Sequence, residues 1–99
     1  MPRIELAPEV FDDFDRFFAH MPKFDIGDAP ARIGEIVQAI DVLGHSPLIA
    51  RKVSGGLREL VIGRGSRGYV ALYRYVPDID TVFVLAIRAQ RESGYQREG

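Results

Sequence analysis

The chain contains no cysteine. This excludes disulfides and thiolate metal sites, and it suits a reducing compartment. No apolar run approaches the ~20 residues that a membrane span needs. The acidic start lacks the basic-then-apolar layout of a signal peptide. A cytoplasmic protein with no membrane partner is therefore expected. Internal repeats and low-complexity stretches are also missing. The two histidines, His20 and His45, form no Asp/His pair with metal-ligand spacing, so neither a metal nor another cofactor is expected. No serine has a base partner placed beside it.

What is present is ordinary in amount and uneven in place. The 99 residues are 46% apolar and 27% charged, which suits one globular domain over 1–99, with 96–99 as a frayed tail. The net charge of −1 hides a division. Residues 1–50 carry four basic and nine acidic side chains; residues 51–99 carry nine basic and five acidic. Eight of those nine basic residues are arginine, the side chain suited to bidentate contact with carboxylate or phosphate. The division reads either as two elements with unlike solvated faces or as a basic face for an anionic partner.

Periodicity supplies the elements. "RIELA" (Arg3 to Ala7) alternates as a strand does. Pro8 then suits a first helical turn, and Val10, Phe14, Phe17 and Met21 recur at helical spacing, joined by Phe11 and Phe18. Asp12, Asp13 and Asp15 are assigned to the opposite face or to the first turns. Pro22 closes this helix. Asp28 and Pro30 open a second, whose stripe is Ile33, Ile36, Val37, Ile40 and Leu43, with Gly44 after it. Gly34 inside it is read as a place where the first helix's phenylalanines approach closely. Residues 45–56 read as a loop. Three strand-like runs follow, "LRELVI", "GYVALYRY" and "TVFVLAIR"; the last is apolar on both faces and so central. The expected class is α+β: an antiparallel sheet of about four strands against an N-terminal helical hairpin, in the order β-α-α-β-β-β.

Gly63-Arg64-Gly65-Ser66-Arg67-Gly68 spells G-x-G-x-x-G. A dinucleotide finger needs a helix after the glycines, whose N-terminus holds the pyrophosphate. Here "YVALYRY" follows, which is a strand, and no P-loop lysine is present. The glycines therefore serve a hairpin turn that needs positive φ, and the turn carries Arg64 and Arg67 at its tip.

The span "GLRELVIGRGSRGYVALYRY…DTVFVLAIRAQRESGY" resembles the RelE/ParE superfamily of toxins from bacterial type II toxin–antitoxin systems. The resemblance runs from about Arg3 to Tyr95. It implies the fold order derived above and one of two activities. RelE-like members cleave mRNA in the ribosome with sheet-borne lysines and arginines and a C-terminal tyrosine. ParE-like members lack that set and are associated with inhibition of DNA gyrase. At the matching cationic positions this chain has Glu59, Val61 and Val70; Arg88, Arg91 and Tyr95 remain, and Ala89 stands where many relatives have histidine. Each lost donor of developing charge costs about 3 kcal/mol. The resemblance therefore points to the ParE-like branch, with no catalytic residues assigned. It implies a DNA gyrase target, with contact to nucleic acid through the target complex, and a cognate acidic antitoxin. The expected target-binding residues are Arg88, Arg91, Tyr95, Arg64, Arg67 and Arg74. Phe11, Phe18 and Met21 are the candidates for an antitoxin groove, against the alternative that each packs in the core. The competing readings are a ribosome-dependent nuclease built on Arg88, Arg91 and Tyr95, and a non-toxic, partner-binding relic of the fold.

Overall fold

The computed structural model describes residues 1–19, 29–63, 68–92 and 94–95. Strand β1 (Arg3–Leu6) leads directly into helix α1 (Pro8–Ala19), with Pro8 at its first position. Helix α2 (Ala29–Asp41) runs into a tight 3-10 turn, Val42–Gly44. Strands β2 (Arg51–Lys52), β3 (Arg58–Ile62), β4 (Tyr69–Val76) and β5 (Thr81–Ala89) complete the chain. Met21, Pro22, Asp28, Arg64, Arg67 and the tail 96–99 lie outside the described residues.

The α+β class and the helix-then-sheet order are as expected. The sheet is richer than four antiparallel strands. It has five, in the spatial order β1-β5-β4-β3-β2. β1 runs parallel to β5, with Ile4 beside Val82 and Leu6 beside Val84. β2 lies within the region read as loop and pairs antiparallel with β3 through Arg51–Glu59 and Lys52–Arg58. The apolar run of β5 sits inside the sheet, flanked by β1 and β4.

One face of the sheet is covered by both helices. Val10, Phe14, Ile36, Ile40 and Leu43 pack with Tyr69, Ala71, Tyr73, Val82, Val84 and Ile87 in one core. A β-bulge lets β5 keep this inward face. Tyr73 pairs with Val84 but Leu72 pairs with Ala86, so Leu85 is an extra residue and the alternation is reset. Buried Tyr73 keeps its hydroxyl satisfied by donating to the Pro47 carbonyl at 2.9 Å.

Three local expectations are corrected. Asp13, in the second turn of α1, is fully buried rather than on the solvent face, because β5 supplies it with a donor. Among the described residues, and apart from its own helix's backbone, nothing lies within 4 Å of where a Gly34 Cβ would stand, so it does not mark close packing of the described helices. Instead α1 packs on β5 and α2 on β3. An open cleft of about 560 Å³ separates the helices, lined by Phe14, Phe18, Pro30, Ile33, Gly34 and Val37 among others. Gly44 falls inside the 3-10 turn and lacks a left-handed backbone. Of the described hairpin glycines, Gly63 has the expected positive φ and Gly68 does not; Gly65 lies outside the described residues. Gly63 has φ +74°, and a Cβ on Gly68 would collide with the Gln90 amide and lie 2.9 Å from the Ile62 carbonyl oxygen.

Candidate functional site

The face of the sheet away from the helices carries the residues that alternate with the core. They are Glu59 and Val61 on β3, Val70, Leu72 and Arg74 on β4, and Phe83, Ala86 and Arg88 on β5. Its chemistry gathers at the end of β5, where the chain turns back over the sheet.

That turn is held from behind. β1 ends at Leu6, opposite Val84, so among the described residues the outer edge of β5 beyond it has no neighbouring strand. Side chains take the place of one. Asp13 Oδ2 accepts the Ile87 N–H at 2.8 Å, and Glu92 Oε1 accepts the Ala89 N–H at 2.8 Å. Arg16 ties the two acids together: its Nη1 donates to Asp13 Oδ1 at 2.7 Å, and its Nε and Nη2 donate to Glu92 at 3.1 and 3.0 Å. The Arg16 guanidinium also reaches the Ile87 carbonyl at 3.4 Å. An edge that would otherwise invite another strand is thus closed by charges. Burial opposes ionisation of Glu92, but Arg16 and the Ala89 N–H outweigh it and hold the carboxyl below its ordinary value.

On the open face Arg88 donates from Nη1 to the main-chain carbonyls of Ala89, Gln90 and Glu92 at 3.3, 3.5 and 3.2 Å. Its guanidinium lies over the Tyr95 ring, 5.4 Å from the centroid. Tyr95 in turn donates its hydroxyl to Glu59 Oε2 at 2.6 Å, and Arg51 Nη2 donates to Glu59 Oε1 at 3.0 Å. The hydrogen bond from Tyr95 is the main reason the Glu59 carboxyl sits below its ordinary value, aided by Arg51. Burial first, and then the same bond, raise the Tyr95 phenol well above its own. A phenol in that state is a donor and a poor base.

Arg88 and Tyr95 therefore meet, and Arg91 stands exposed in the turn between them. Glu92 takes neither arginine of this segment as its carboxylate partner; it is held by Arg16. Arg74 is exposed on the same face, but it pairs with Phe83, five residues back from Arg88 along β5, roughly 15 Å away at strand spacing. Val61 is half exposed and Val70 is buried. Phe18 lines the helix cleft, whereas Phe11 is 55% exposed and absent from the cleft's lining. Among the described residues no cluster of His, Cys, Asp or Glu could hold a metal. Four members of the site were missed by sequence reasoning: Glu59 as an acceptor, Arg51, Asp13 and Arg16. The available signal for Asp13 was its place between Val10 and Phe14 on the apolar stripe.

Comparison with known proteins adds the following. The family model described as the ParE toxin of the type II toxin–antitoxin system parDE matches residues 4–94. A solved chromosomal ParDE toxin–antitoxin system from P. aeruginosa is similar with a TM-score of 0.74 and 18% identity, over 90% of this chain and 96% of that one. A RelBE-type toxin–antitoxin complex from Mycobacterium tuberculosis gives 0.62 and 20%, over 91% and 100%. The intact E. coli RelBE complex gives 0.58 and 14%, over 93% and 100%. No curated protein matches the sequence.

Proposed function

Because the chain belongs to the ParE toxin family of type II toxin–antitoxin systems, we propose that it inhibits growth by binding its target, DNA gyrase, without cutting RNA, and that a cognate acidic antitoxin silences it. The observation that carries this reading is Glu59. It sits on the open face, on β3 beside the edge strand β2, where a nuclease of the RelE type would present a cation, and the Tyr95 hydroxyl is bound to it. Phosphodiester cleavage needs donors for the developing phosphorane charge and a base for the 2′-hydroxyl. Here Val61 and Val70 offer neither, and the raised phenol of Tyr95 is unsuited to accept a proton. What remains is an exposed arginine and a stacked one on a firmly held strand end, an arrangement for gripping carboxylate or phosphate on a large partner.

The antitoxin is assigned to the helix cleft, an apolar groove of a size that takes one face of an amphipathic helix. The relatives solved as toxin–antitoxin complexes support an antitoxin partner.

The test is paired. Arg88→Ala and Arg91→Ala are expected to abolish growth inhibition and inhibition of gyrase supercoiling, with Arg3→Ala as control and the melting temperature of Arg91→Ala unchanged. Codon-positioned mRNA cuts on programmed ribosomes that vanish in Tyr95→Phe would overturn the reading in favour of a nuclease. Full toxicity in both arginine variants would remove the target assignment from this end of the sheet.

A further inference from the structure

Resting on the reading of the β5 end as the target-binding face, we propose that Glu59 is its positioning residue, holding Tyr95, and through Tyr95 the Arg88 guanidinium, from the far side of β4. By position 59 looks like a lost cation. By geometry it is the fixed point of the cluster.

The registers place it. Glu59 lies beside Leu72, and Arg88 lies beside Val70, so the two flank β4 on the same open face. Two strand spacings, roughly 10 Å, separate β3 from β5. Tyr95 bridges that gap with its ring under the Arg88 guanidinium and its hydroxyl on Glu59. Beneath this bridge Val70 and Ala86 are each only 2% exposed, on a face that neither helix covers. A ring lying across β4 would provide that cover.

The residue type matters. A carboxylate accepts the phenol hydrogen in a short, charge-assisted bond. Arg51 engages its other oxygen and orients it. Lysine at 59 would supply no acceptor. A freed Tyr95 would leave Arg88 without its ring partner, and Arg88 would keep only its hydrogen bonds to the turn carbonyls. Sequence separation hides the link, since Glu59 and Tyr95 are 36 positions apart.

The experiment uses the full chain labelled with ring-13C tyrosine and titrated with alkali in the NMR spectrometer. The Tyr95 signal is the one lost in Tyr95→Phe. In the parent chain it stays un-ionised beyond the ordinary tyrosine range. In Glu59→Ala it titrates within that range, and growth inhibition falls about tenfold, the effect of losing one charge-assisted hydrogen bond. Glu59→Gln, whose amide oxygen still accepts, restores most of the inhibition. An unchanged Tyr95 titration in Glu59→Ala overturns the proposal. So does a freed Tyr95 with full inhibition, provided that Arg88→Ala is inactive. If Arg88→Ala keeps full inhibition, the target-face reading fails, and the Tyr95 titration still decides whether Glu59 holds the ring. Should Glu59→Ala not fold, Tyr95→Phe removes the hydroxyl alone and is expected to lower inhibition to the same degree; full inhibition there also overturns the proposal.

Discussion

Asp13 has two carboxylate oxygens and two tasks. One receives a backbone donor from the unpaired edge of β5, the other the Arg16 guanidinium that fixes the turn after β5. Removal of the carboxylate takes the acceptor from a buried N–H and a charge partner from the Arg16 guanidinium. Loss of one side of a buried pair costs about 3–5 kcal/mol. Asp13→Ala is therefore expected to destabilise the chain by about 3 kcal/mol in urea unfolding, near the low end because Arg16 keeps Glu92. Asp13→Asn, which can still accept from Ile87, is expected to cost less. The same residues set the pH dependence of stability. Glu59 and Glu92 ionise more readily in the folded chain than at their ordinary 4.5. Their contribution is present above that value and is lost as pH falls through the lower folded values. Tyr95 loses its proton less readily than an ordinary phenol at 10.0, so its contribution is full below that pH and is lost as pH rises past it. Chemical denaturation across pH is expected to show a plateau between these limbs. Tyr95→Phe is expected to shrink the alkaline limb and, because the Glu59 carboxyl loses its main stabilising bond, the acid limb too.

Among the elements, α2 carries a glycine that the fold does not require. Gly34 lies in the helix interior and lines the cleft with nothing within 4 Å of a Cβ position. Alanine there removes a helix penalty of about 1 kcal/mol. Gly34→Ala is therefore expected to raise stability by about 1 kcal/mol and, by narrowing the groove, to weaken antitoxin binding in calorimetry. Unchanged affinity would place the antitoxin elsewhere. Gly68 is the opposite case: its Cβ would press on the Ile62 backbone, so Gly68→Ala is expected to cost about 1–3 kcal/mol. Elements held by periodic apolar contact were legible in the sequence. Val10, Phe14 and Phe17 announced α1, Ile36 and Ile40 announced α2, and the two-faced run of β5 announced an inner strand. β2 was not, because Arg51 and Lys52 are two charged residues with no alternation, and their strand character comes from the edge of β3. The parallel pairing of β1 was hidden for a related reason. "RIEL" states a strand and says nothing of its direction. At the site, Arg88 and Tyr95 were readable as residue types, but their meeting depends on the β3–β4–β5 registers and on the returning tail. The burial of Asp13 ran against the rule that a carboxylate in a helix faces water.

At the scale of the whole molecule the charge division becomes a spatial one. The acidic half supplies the two helices and the cleft between them; the arginine-rich half supplies β2 to β5. Glu9, Asp12 and Asp15 on α1 are all exposed, so the acidic antitoxin proposed above would be repelled if it approached the cleft alone. The arginines of the sheet attract the same partner. On the proposed reading, binding would use two contacts of different physics: an apolar helix face seated in the cleft and an acidic segment running onto the basic sheet. The two separate kinetically. Long-range attraction acts on the encounter and is screened beyond a Debye length of about 10 Å at 0.1 M salt. Burial in the cleft acts on escape and is nearly indifferent to salt. Stopped-flow association with the antitoxin is thus expected to slow about tenfold between 0.05 and 0.5 M sodium chloride, with little change in the dissociation rate. Val37→Asp, which sets a charge in the cleft wall, is expected to accelerate dissociation by about tenfold or more and to leave the salt slope of association unaltered. Arg91→Ala is expected to flatten the salt slope and leave dissociation from the cleft as it was. An association rate that ignores salt would show that the sheet arginines take no part in capturing the antitoxin and leave the cleft as its docking surface.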